Sequence, residues 1–359
     1  MKGKGNRLSA IARVALLFLI FCAACTALSP PAPVETWKFA VLCDTRGDDG
    51  GGPGKTCLND EVVGAIARDI RREGCELVIM PGDLVNGFWA NGGDRPPGIG
   101  RGSTPYKRQF ANWKKAMAPC YEAGIRVYAI RGNHEYGWAA ESPFKPPYDL
   151  VAAPGLEEAF IEAFGDDNPD NGPPGEKELT YCVDNRNARF LGLDEYAAPH
   201  RVNQDWLEEN LSGCRLPHIF VFGHEPAFRA KHPDCLASYP EARDLFWSSL
   251  GRAGARVYFC GHDHFYARSL IGDEAGREIF QIINGAGGAP LRKWDGNYRD
   301  PRVKPGFFAT GVYGYNLVLV RGHEVTIQFK RWDGNNAWTV IDSFSYDVFS
   351  PSRPGPGWS

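Results

Sequence analysis

From Trp37 onward, short apolar runs alternate with stretches whose apolar residues recur every three to four positions, the pattern of buried strands separated by amphipathic helices. Lys38–Cys43 reads as a strand ending at Asp44. Asn59 or Asp60 caps a predicted helix with Val62, Val63, Ile66 and Ile70 on one face. Leu77–Met80 is the next strand and ends at Pro81-Gly82-Asp83. A helix around Tyr106–Ala123 leads to the strand Ile125–Ile130, which ends at Gly132-Asn133-His134. His218–Phe222 ends at Gly223-His224, and Arg256–Cys260 ends at Gly261-His262. Five predicted strands thus end in tips carrying Asp, Asn or His, usually just after Gly. In an α/β sheet the crevice beyond the carboxyl ends of the strands is where ligands bind, so the five tips predict one site.

The C-terminal third reads differently. Arg268–Ile271, Glu278–Ile283, Asn316–Val320, Val325–Trp332 and Thr339–Tyr346 alternate as strands with few helices between them, which predicts antiparallel strands forming a second sheet packed on the first. Gly47–Lys55, Asn86–Thr104 and Pro143–Glu176 read as three long loops, either lids and binding loops or solvated surface. No linker interrupts 37–349, which reads as one domain, with a loose tail at 350–359.

The first residues follow another pattern. Lys2, Lys4, Arg7 and Arg13 precede the apolar run Val14–Cys25, which is shorter than the roughly 20 residues of a membrane span. This predicts a secretory signal over 1–24 and a Pro-rich spacer over 25–36. Ala23-Ala24-Cys25 also resembles the end of a bacterial lipobox, with Cys22 where that motif usually has Leu. Ordinary cleavage near Ala24 or Ala27 is favoured over lipidation of Cys25. Either route predicts an exported protein, periplasmic, secreted or lipid-anchored at the cell surface. Export leaves an even set of eight cysteines after Cys25, hence an expectation of disulfides, although Cys43 and Cys260 read equally well as small buried hydrophobes.

Composition narrows the class. A chain of 359 residues that is 43% hydrophobic and 23% charged has ample material for a core, which excludes disorder and fibrous classes. A net charge of −3 gives no basic footprint for nucleic acid.

Taken in order, the tips are Asp44-Thr45-Arg46, Gly82-Asp83, Gly132-Asn133-His134-Glu135, Gly223-His224 and Gly261-His262-Asp263-His264. The series resembles the calcineurin-like metallophosphoesterase superfamily, which includes the purple acid phosphatases and carries D-x-H, GD, GNH[D/E], GH and GHxH in this order. The resemblance runs from about Trp37 to Trp332. It implies a four-layer α/β/β/α sandwich of two mixed β-sheets flanked by helices. It also implies two divalent metal ions that clamp a phosphoryl group and a metal-bound hydroxide that attacks phosphorus in line. Asp83 would bridge the metals; Asn133, His224 and His262 would complete one, Asp44 and His264 would serve the other, and His134 would act at the leaving group. Mixed oxygen and imidazole donors suit Mn, Fe or Zn.

The departure is Arg46, which stands where the family has a His ligand; Asn86 stands where purple acid phosphatases have Tyr. A guanidinium is always protonated and cannot ligate. Water, Asp48 or Asn86 fills the gap, or the first site holds its metal weakly, or one metal binds; the expectation is a weak but occupied first site. Arg46 and His232 are candidate phosphate contacts. The expected activity is hydrolysis of a small phosphomonoester, with a phosphodiesterase acting on nucleotide or lipid-derived diesters as the alternative. A non-catalytic surface binding protein with a degenerate metal site is the reading from another class. Phe88, Trp89, Phe265 and Tyr266 are either a substrate wall or core, and Asn284–Gly288 reads as a tight turn backing the metal cluster.

Overall fold

The computed structural model describes residues 34–47, 56–88, 103–139 and 150–349. The signal, spacer and tail expectations, together with Trp89, Asp48 and most of the first two long loops, lie outside the described residues.

Strands β1 (Thr36–Val41), β2 (Leu77–Met80), β3 (Arg126–Ala129), β13 (Gly314–Arg321), β14 (Glu324–Trp332) and β15 (Trp338–Asp347) form one mixed sheet in the order β15-β14-β13-β1-β2-β3. A second has the order β12-β10-β11-β9-β8-β7-β6, built from β6 (Tyr181–Asn185), β7 (Ala188–Gly192), β8 (His218–Phe222), β9 (Val257–Cys260), β10 (Tyr266–Gly272), β11 (Glu278–Asn284) and β12 (Val303–Ala309). Gly137–Ala139 (β4) and Leu150–Ala152 (β5) pair separately.

Period-two alternation explains the layers. In β1, Trp37, Phe39 and Val41 face the opposite sheet, where they meet Phe190, Phe220 and Phe259; Ala40 points to the outer face with Val78 and Met80. In β8, Phe220 and Phe222 join the inter-sheet core, whereas Ile219 and Val221 face the outer helices. Both faces are covered, so these strands read as continuous apolar runs. Helices Asp60–Glu73 (α1), Thr104–Ala116 (α2) and Ala118–Glu122 (α3) pack on the first sheet; Gln204–Ser212 (α6) and Pro240–Ala253 (α7) pack on the second. The Asn59 side chain caps α1 by accepting from the Val62 N–H. Two sheets between two helical layers give the expected α/β/β/α sandwich.

Three expectations are corrected. The C-terminal strands do not form a sheet of their own: β10–β12 extend the second sheet, while β13–β15 complete the first through the antiparallel pairing of β13 with β1, Phe39 opposite Val318. The described part of the third long loop contains the helix Leu156–Phe164 (α5), because Leu156, Ala159, Phe160 and Phe164 form a buried face that the Pro- and Asp-rich flanks obscure. All eight described cysteines are free thiols. Cys75 and Cys120 lie in the outer layer of the first sheet, Cys182 and Cys260 in that of the second. Cys43 donates to the Asp44 carboxylate instead, at 2.9 Å.

Candidate metal centre

Each tip turns sharply as its strand ends. Asp44, Asp83 and His262 have positive φ (54°, 52° and 67°), a conformation that costs non-glycine residues energy and here throws their side chains across the crevice. Gly82 has φ +88°, and a Cβ there would lie 2.6 Å from the Gly132 nitrogen. A Cβ on Gly132 would lie 2.2 Å from Asp83 Oδ1, so the second and third tips touch only because both carry Gly.

Glu135 locks these tips together. Fully buried, it accepts the backbone N–H of Asp83 (2.8 Å), Gly132 (2.9 Å) and Val85 (3.0 Å). Burial, and then the charge of Asp83, push its pKa up to about 8, and the three N–H donors pull against that rise. Glu135→Gln should cost about 1–3 kcal/mol, because one side of the amide turns an NH2 group against a buried N–H donor. Chemical denaturation of the metal-free protein checks this, and unchanged stability would refute the locking role. The fourth tip is braced similarly: Glu225 faces His200 Nδ1 at 2.8 Å, and its N–H donates to Glu195, which also accepts from the Tyr258 hydroxyl.

One donor set is complete. His224 Nδ1 gives its proton to the Pro81 carbonyl (2.8 Å), so Nε2 presents a lone pair 3.2 Å from Asn133 Oδ1 and 3.4 Å from Asp83 Oδ1. His262 Nδ1 lies 3.2 Å from the same Asn133 oxygen. Donors about 2.1 Å from a single tetrahedral ion stand roughly 3.4 Å apart, the spacing of the three neighbouring contacts His224–Asn133, His262–Asn133 and His224–Asp83 at 3.2, 3.2 and 3.4 Å, so these four residues are the candidate donors of one divalent metal. Asp234 sits behind His262, 3.5 Å from Nε2, and 3.4 Å from His232 Nδ1. Burial alone would lower the His262 pKa, but the negative charge of Asp234 raises it to about 10.

The second set is smaller. Asp44 Oδ1, buried without a hydrogen-bond partner, lies 3.5 Å from His264 Nε2, and His264 Nδ1 is 2.8 Å from the Pro290 carbonyl. Asp44, Asp83 and His264 converge closely enough to hold an ion. Arg46 reaches the same space, its Nε 3.6 Å from Asp83 Oδ2 and its Nη2 3.5 Å from His264 Nε2. The turn after β11 backs this half, with the N–H groups of Gly287 and Ala289 donating to the carbonyls of Cys43 and Asp44.

The structure therefore brings together Asp44, Asp83, Asn133, His134, His224, His262 and His264, with Arg46 on one side and His232 on the other, its ring 4.8 Å from that of His262. Residues 57–266 match the family model for the calcineurin-like phosphoesterases. The chain belongs to the calcineurin-like phosphoesterase family. Metal-dependent hydrolysis of phosphoric esters is that family's chemistry, and the five tips carry side chains that could hold its metals. Among solved structures, a purple acid phosphatase, PPD1, from yellow lupin seeds is 16% identical with a TM-score of 0.63, covering 88% of this chain and 55% of its own. PhoD is 13% identical at a TM-score of 0.63, covering 92% and 74%. GAP50, the anchor in the inner membrane complex of Plasmodium, is 14% identical at 0.52, covering 88% and 90%. At these identities they attest the fold, and the phosphoesterase spans about half (55%) of the lupin protein's length. No curated protein matches the sequence.

Asp234 escaped the sequence reading because it lies in an irregular stretch after β8, outside every motif; its two-residue spacing from His232 was the one available signal. His200, also outside every motif, is buried and paired with Glu225. Arg131 pairs with Asp194 and Glu157, both at 2.6 Å. Phe88, Phe265 and Tyr266 belong to the core rather than to a substrate wall.

Proposed function

We propose that this phosphoesterase hydrolyses small phosphomonoesters. The observation that carries the reading is the Arg46 guanidinium, held among the metal donors with its Nε free of a hydrogen-bond partner. A guanidinium fork suits the two or three exposed oxygens of a monoester better than the fewer of a diester. His232, across the centre beside His262, offers a second contact.

A divalent ion bound by Asp83, Asn133, His224 and His262 would supply Lewis acidity, polarising a phosphoryl oxygen and acidifying water. The chain's own groups do the rest. A water oxygen bonds to phosphorus opposite the ester oxygen, the ester P–O bond breaks, the water loses a proton, and the leaving alcohol gains one. His134 is the group placed for that last transfer. Its Nδ1 is fixed by the Asn86 carbonyl at 3.0 Å, which turns Nε2 into the site, 3.9 Å from Asp83 Oδ2. Burial first, and Arg46 second, push its pKa down to about 3, and the negative charge of a bound phosphate would raise it.

Export, with the signal ahead of the domain and a lipid anchor at Cys25 as its one route to a membrane, belongs to the same proposal. The test is to strip the metals, restore Mn, Fe, Zn or Mg, and compare paired chromogenic monoester and diester substrates. The monoester should be favoured by about tenfold or more in kcat/KM. A diester preference would select phosphodiesterase action, and no turnover by the metal-loaded protein would return the binding-protein reading.

A further inference from the structure

We propose that the guanidinium of Arg46 stands in place of the first metal, so that this phosphoesterase works with a single divalent ion, held by Asp83, Asn133, His224 and His262. The inference rests on the phosphohydrolase reading for its chemistry but not for its test.

The two halves of the centre differ in kind. One half offers four donors on neighbouring tips, with His224 Nε2 and His262 Nδ1 both 3.2 Å from Asn133 Oδ1. The other offers Asp44, Asp83 and His264, and among the described residues no fourth His, Cys, Asp or Glu joins that group. A fixed cation already lies against it. Arg46 Nε is 3.6 Å from Asp83 Oδ2, and Nη2 is 3.5 Å from His264 Nε2, whose lone pair faces it because Nδ1 gives its proton to Pro290. The side chain is only 13% exposed. Its backbone is held as well, through a bridge to Leu58 and an N–H donated to the Asp83 carbonyl. A divalent ion among these three donors would sit in direct repulsion with a guanidinium that cannot give up its proton.

Asp83 shows how the charge is shared. Its Oδ1 faces His224 at 3.4 Å and belongs to the complete site, whereas its Oδ2 faces Arg46. The carboxylate that would bridge two metals would here join a single ion's donor set to a guanidinium. Arg46 supplies positive charge beside the phosphoryl position, as a first metal would, but with planar donors rather than open coordination positions. It can orient phosphate oxygens and cannot acidify water. A single ion held by Asp83, Asn133, His224 and His262 would supply that acidity.

The experiment is a metal count on the full-length protein after equilibration with Mn and, separately, Zn, by elemental and native mass spectrometry. The Mn form is also read by electron paramagnetic resonance, and ester hydrolysis is measured on the same preparation. The wild-type chain should saturate at one ion, with the spectrum of an isolated Mn centre. His224→Ala should lose that ion and His264→Ala should keep it. Arg46→His, which removes the fixed charge and adds an imidazole facing Asp44 Oδ1, should gain a second ion and a spin-coupled signal. Two ions or a coupled pair in the wild-type chain would overturn the inference, as would loss of the ion in His264→Ala with retention in His224→Ala. The wild-type count decides even if Arg46→His fails to fold. One ion without turnover would leave the inference standing and remove the hydrolase reading; two ions with turnover would do the reverse.

Discussion

Asp83→Asn is expected to lower kcat by about a thousandfold or more and to weaken metal binding by more than about a hundredfold. Asp83 is buried at the point where every part of the centre meets. Oδ1 accepts the His134 backbone N–H at 3.1 Å and faces His224 Nε2; Oδ2 faces Arg46 Nε and His134 Nε2. Burial by itself would favour the neutral acid, yet His224, His134 and Arg46 hold the group ionised, its pKa well below the carboxylate range. An amide keeps the shape and loses the charge. Whichever way it turns, its NH2 hydrogens point at a metal donor or at Arg46. Metal content and ester turnover measured on the same sample check the result. Full occupancy with turnover within about tenfold of wild type would contradict the assignment.

His134→Ala should behave differently, losing about 10²- to 10⁴-fold in kcat while the bound metal stays in place. The side chain is 8% exposed and lies in the crevice without joining either donor set. If its work is proton delivery to the leaving oxygen, a nitrophenyl ester, whose leaving group needs little help, should suffer less than an alkyl ester. An equal loss on both would assign electrostatic stabilisation instead, and undiminished turnover would take His134 out of the mechanism. The contrast with Asp83→Asn separates a residue that holds the ion from one that uses it.

The parts of this molecule that were legible in its sequence share a physical cause. Buried strands leave unbroken apolar runs, and a polar residue abruptly following such a run, behind a glycine, has few reasons to exist other than a site. That is why Asp44, Asp83, Asn133, His134, His224, His262 and His264 could be named together and why the structure brings them together. What was illegible depends on pairing in space. Nothing local says that β13 lies beside β1 rather than in a sheet of its own; the choice is made by Phe39, Val318 and the rest of a register between distant segments. Asp234 and His200 act through histidines and a carboxylate they meet only after folding. The expected disulfides followed from an even count and an exported chain, whereas bonding depends on the distance and direction between two cysteines once the chain has folded. Arg46 was visible as a departure, but its position between Asp83 and His264 was not.

The pairing of β1 with β13 also sets an order of events. The first strand lies inside its sheet, with β2 on one flank and a strand from near the far end of the chain on the other. Until Gly314–Arg321 has been made, one edge of β1 remains open, and the turn that supports Cys43 and Asp44 from behind comes only after β11. Contacts this distant in sequence form late and make folding slow. The binding centre is therefore a product of chain completion: a nascent or C-terminally shortened polypeptide carries the Asp44 tip without its neighbours, and an ion can be captured with full affinity only once both ends of the fold have met.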